Sequence, residues 1–92
     1  MDCEIVVEKR RVMPKEGLLL DYTLSKRSGR GGLVLYSVLI EETLGQTSEF
    51  IFLDALTEDE TKAKEVFNLL ADEIVTPCTA EDVLCEILYA PW

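Results

Sequence analysis

A chain of 92 residues with 48% hydrophobic and 29% charged residues has the size and mixture of one ordinary globular domain, which sets aside a disordered or multidomain reading. No uncharged run approaches the roughly 20 apolar residues of a membrane helix, and the N-terminus lacks the basic-then-apolar pattern of a secretory leader, so the expected location is cytoplasmic. A net charge of −9 argues against general binding to nucleic acid or to an anionic membrane.

The charge is uneven. Met1–Ile40 holds seven bases and five acids, whereas Glu41–Trp92 holds two bases and thirteen acids. The acidic half is the C-terminal one, and a local basic region in the first half is left open as a contact site.

Taken in order, Cys3 to Met13 alternates loosely and is rich in Ile and Val, which reads as a first strand with a polar centre suited to a sheet edge. Pro14 to Gly17 is a turn signal. Leu18 to Arg27 alternates cleanly, with Leu18, Leu20, Tyr22 and Leu24 on one face and Leu19, Asp21, Thr23 and Ser25 on the other. Lys26 to Gly32 has three glycines in four residues and reads as a flexible loop. Leu33 to Glu42 is apolar on both faces, the mark of a central strand covered on both sides. Thr43 to Ser48 forms the next turn. Glu49 to Leu56 sets Phe50 and Phe52 against Ile51, Leu53 and Ala55.

Helical periodicity then replaces alternation. Thr57-Glu58-Asp59-Glu60 has the form of a capping box. Ala63, Val66, Phe67, Leu70, Ala71 and Ile74 follow at three- and four-residue steps as one apolar stripe. Pro77 disfavours a helical Thr76, so this main helix is expected over 57–75. Thr79 to Asp82 is a second start signal, and Val83, Leu84, Ile87 and Leu88 give a short second helix over 79–89 its apolar face. Trp92 ends the chain, its position unspecified.

The expectation is therefore a single α+β domain: a four-stranded antiparallel meander over 1–56 followed by two C-terminal helices, in two layers. One main helix covers one sheet face, yet two strands are apolar on both. The second face then calls either for the short helix or for another subunit, and a homodimer through a sheet face is expected.

Chemistry is sparse. Without histidine, no Ser-His or Cys-His pair exists. Cys3, Cys78 and Cys85 are odd in number and lack Cys-x-x-Cys spacing, which suits free thiols in a reducing compartment better than a metal site. Most acids fall on solvent-facing helix positions or in caps. Asp21 and Asp54, within strands, stand in unusual company, and edge or strand-end roles suit them better than catalysis. Ser28 to Gly32 resembles a phosphate loop only superficially, since a strand follows it where a helix dipole is needed. No catalytic residue, metal or cofactor is expected.

The remaining candidates are basic. Lys9 and Lys15 accompany Arg10, Arg11, Lys26, Arg27 and Arg30, and the last five are the expected docking residues for an acidic protein partner if a hairpin brings them to one rim. A nucleic-acid-associated regulator using this hairpin is the second reading, although the exposed aromatics that single-strand binding uses are missing beside it. A carboxylate-based enzyme or ligand-binding protein is the third.

The stretch Thr76-Pro77-Cys78-Thr79-Ala80-Glu81-Asp82-Val83-Leu84-Cys85-Glu86-Ile87-Leu88, after an apolar strand and a helix, resembles a family of small proteins of Gram-positive anaerobic bacteria classed as a domain of unknown function. The resemblance spans residues 33–88 and leaves out the Lys26–Gly32 loop. It implies a cytoplasmic bacterial protein and brings no chemistry with it.

Overall fold

The computed structural model describes residues 4–83. Four strands of 11 residues, β1 (Ile5–Lys15), β2 (Leu18–Ser28), β3 (Val34–Leu44) and β4 (Thr47–Thr57), form one antiparallel sheet in the order β1-β2-β3-β4. The helix α1 (Glu60–Asp72) follows, and a helical turn begins at 80–83. The fold is the α+β meander with helices after it that the alternation and the later 3.6-residue period call for.

The strands are longer than their apolar runs, and the turns correspondingly tighter. β1 continues through Pro14 to Lys15, so only Glu16 and Gly17 turn the chain, with Gly17 at φ 83°. Pro14 is tolerated because β1 is an edge strand and its register with β2 shifts between Val12 and Lys15. The β3–β4 turn likewise shrinks to Gly45-Gln46, with Gly45 at φ 60°. Within the glycine loop, a short 3-10 turn spans Arg30–Gly32.

Leu20, Tyr22 and Leu24 on β2 and Tyr36, Val38 and Ile40 on β3 all face the helix and are buried. Ala63, Val66, Phe67, Leu70 and Ala71 meet them from α1. At about 1.5–3 kcal/mol per fully buried large apolar side chain, this layer is the main favourable term. The Tyr22 hydroxyl reaches through it and donates to the Val75 carbonyl at 2.8 Å, which anchors the chain leaving the helix.

Both helix ends differ from the expected ones. The Asp59 carboxylate, not Thr57, caps the N-terminus and accepts from the N–H groups of Thr61 and Lys62. The Thr57 hydroxyl accepts from the N–H of Asp59 one step earlier. The reason is that β4 pairing continues to Thr57, opposite Tyr36, which leaves Asp59 as the first short polar side chain beyond the strand. At the other end the helix stops at Asp72. The Val75 N–H bonds to Leu70 O and the Ile74 N–H to Ala71 O, the double bond of a Schellman cap.

Ile74 therefore does not belong to the apolar stripe. It holds the left-handed position of the cap at φ 54° and is 42% exposed, while Val75 is 5% exposed and takes the core place. A β-branched residue is strained there, by roughly 1–2 kcal/mol. Ile74→Gly should thus raise the unfolding free energy by about 1 kcal/mol, read as a higher urea midpoint at unchanged slope.

Tyr22 gives the fold a pH dependence. Burial pushes its phenol up to about 12, with Arg10 opposing and Glu42 reinforcing. The unfolded chain loses that proton near pH 10, so this contribution is complete below about pH 10 and is lost as the pH rises towards about 12. Tyr22→Phe is expected to be about 1 kcal/mol less stable at neutral pH, through the unpaired Val75 carbonyl. Urea titrations from pH 8 to pH 12 should show that gap closing.

Candidate functional site

Strand alternation divides the sheet into a helix face and an open face. In register, the open face carries the row Lys9, Thr23, Leu39, Phe52 and the row Arg11, Asp21, Glu41, Phe50. Each row runs from a cation on β1 to an aromatic ring on β4. Phe50 is 70% exposed and Phe52 40%. Leu35, Leu39 and Leu19 are half-buried beside them, although α1 lies on the other side of the sheet.

Polar side chains frame this apolar patch. The Ser37 hydroxyl, only 2% exposed, donates to Asp54 Oδ1 at 3.0 Å and accepts from the Ala55 N–H at 3.1 Å. It thereby holds a bulge in β4, where the pairing skips from Leu53 to Thr57 and Ala55 takes φ 50°. Arg27 Nη2 lies 3.0 Å from the other Asp54 oxygen. Ser25 donates to Glu4 Oε1 at 2.6 Å. Asp54 thus terminates the regular part of β4, as its strand-end position implies. Asp21 sits opposite Arg11, at 2.8 Å from its Nε, and this hydrogen bond holds the Arg11 guanidinium above its ordinary range.

The five expected docking residues do not form one patch. Arg10 and Arg11, adjacent in a strand, point to opposite faces. Arg10 crosses on the helix side to Asp72 at 3.0 Å and to Asn68 at 3.4 Å, whereas Arg11 is on the open face. Lys26 and Arg27 line one groove with Ile5, Ser28 and Val34, and Arg27 is already paired with Asp54. Arg30 is placed only by its backbone, in the 3-10 turn. The period-2 parity of neighbouring residues is the signal that separates Arg10 from Arg11. The partner acids Asp72 and Asp54 lie too far along the chain for spacing to reveal.

A second feature runs along the outside of β4. Ser48, Glu49, Phe50 and Ile51 line a groove of about 410 Å³ with Pro77 and Cys78 of the segment after α1. The exposed Cys78 thiol lies 3.7 Å from Glu49 Oε2. Cys3 and Cys85, the second half of the short helix and Trp92 fall outside the described residues. Among those residues, no helix is long and apolar enough to cross a membrane.

No family model, curated protein or solved structure matches this chain.

Proposed function

We propose that the chain is a small non-enzymatic interaction module acting as a homodimer, with two copies meeting through the open sheet face. The observation that supports this reading is the row of Leu39 and Phe52 left half-covered on the face opposite α1, with Phe50 beside it. An apolar patch rimmed by charge is the usual mark of an association surface.

Shape and the pairing of β1 cations with β4 rings favour a second copy as the occupant. Four strands about 4.8 Å apart and 11 residues long at about 3.4 Å per residue present roughly 700 Å² per face, close to the roughly 800 Å² each partner contributes to a stable interface. A two-fold axis parallel to the strands lays β1 of one copy against β4 of the other. Lys9 then meets the Phe52 ring and Arg11 the Phe50 ring, a cation–π arrangement made twice by symmetry. Face-to-face sheets pack about 10 Å apart, which leaves room for the two Leu39 side chains to pack beside each other across the axis, each over Thr23 of the other copy.

In such a dimer the helix layers point outwards and serve as the adaptor surfaces. A cytoplasmic setting, and the resemblance to the small proteins of Gram-positive anaerobes, are compatible with that role and add no chemistry to it. The test is sedimentation velocity from low micromolar to millimolar concentration. A reversible monomer–dimer equilibrium is expected, and a strict monomer throughout would end the proposal.

A further inference from the structure

We propose that the outer edge of β4 is a strand-addition site for an extended segment of a partner protein that carries an apolar and a basic side chain two residues apart, on one face. β4 is last in the sheet, and from Thr47 to Leu53 it is regularly paired with β3 on one side. Among the described residues, no other backbone hydrogen bond is made by this stretch. One row of its N–H and C=O groups therefore faces outwards as a template for a further strand.

The two sheet edges are built differently. β1 is blunted: its register shifts between Val6 and Glu8 and again between Val12 and Lys15, it contains Pro14, and it carries Lys9, Arg10, Arg11 and Lys15. These are the devices that keep an edge from pairing. β4 has no proline and no base, and its only break comes after Leu53. It is the edge left able to accept a strand.

Two observations fix the chemistry of the occupant. An added strand lies about 4.8 Å outside β4, with alternate side chains on the helix side of the sheet. There one of them would enter the groove between Ile51 and the Pro77-Cys78 segment, which suits a Val- or Ile-sized side chain. Glu49, two residues from Ile51 and so on the same face of β4, lines the same groove and makes no ion pair among the described residues, so a Lys or Arg two residues along the incoming strand from the apolar side chain completes the charge balance. A second copy fits less well. Its β4 would bring a second Glu49 to this edge, and its β1 has broken ends and has Arg10 and Arg11 already bound to Asp72 and Asp21.

The probe is a fluorescently labelled seven-residue peptide, Thr-Val-Thr-Lys-Thr-Val-Thr, whose valines and lysine share one face, read by anisotropy and by backbone amide hydrogen exchange. Alternate β4 amides between Thr47 and Leu53 are expected to exchange quickly in the free protein and to become protected with the peptide. Binding is expected to weaken at least tenfold for Glu49→Arg and for Cys78→Trp, which fills the groove. It should vanish when alternate peptide amides are N-methylated. Leu39→Asp, which acts on the other interface, should leave it unchanged. Equal binding of the N-methylated peptide would mean simple attraction to an acidic protein and would overturn the proposal, as would no binding at about 1 mM peptide. Protection of these amides in the free protein would assign the edge to this chain or to a second copy and would equally overturn it.

Discussion

Replacing Phe67 with alanine should lower the unfolding free energy by about 3–5 kcal/mol, the largest effect expected of any single substitution on stability. Phe67 is fully buried, at the centre of the only complete helix among the described residues, and α1 rests on β2, β3 and β4. Alanine favours the helix, so the loss comes from the emptied volume between the layers and not from propensity. A domain of this size has roughly 5–15 kcal/mol in total, so the urea midpoint should fall by about a fifth or more. Leu69→Ala is the control. Leu69 is exposed on the same helix, and its loss should cost less than about 1 kcal/mol. Both variants need the same protein concentration as the wild type, because the proposed dimer would add its own stability by mass action. Similar losses for the two variants would mean that α1 does not hold the sheet in the way described.

Replacing Leu39 with aspartate should leave the protomer folded and weaken self-association at least a hundredfold. Leu39 sits between Thr23 and Phe52, in the middle of the open face. It is half-exposed in the single chain, so an aspartate there stays hydrated and costs the protomer little. Between two copies the same carboxylate would lose its water with no base opposite it, and residues at the centre of an interface carry most of its energy. Lys9→Gln, at the rim, should change association far less, since exposed charges contribute little. Sedimentation of the two variants beside the wild type ranks these effects, and equal behaviour of all three would remove the open face from the account.

The layer architecture was readable in the sequence because it follows from local periodicity. The alternation of Leu20, Tyr22 and Leu24 and the stripe of Val66, Phe67 and Leu70 each point at the other, and both are buried where they meet. What was not readable depends on contacts far apart in the chain. Strand pairing to Thr57 moved the helix cap to Asp59. The cap bonds at the far end placed Val75, not Ile74, in the core. Ser37 and Ala55 form the bulge together, and neither residue type announces it alone. The basic cluster is the sharper lesson: Arg10, Arg11 and Arg27 are close in composition, yet parity and ion pairing give each a different acid. The apolar open face, in contrast, was implied by strands with apolar residues on both sides, and Phe50 and Phe52 lie there.

The central claim is that two copies meet through this face, and isotope-filtered NOE spectroscopy on a mixture of labelled and unlabelled protein tests it most directly. The account predicts intermolecular contacts from the Leu39 methyl groups of one copy to Leu39 and to the Thr23 methyl group of the other, absent in the Leu39→Asp variant. Intermolecular contacts confined to the outer surface of α1, or none at millimolar concentration, would contradict it.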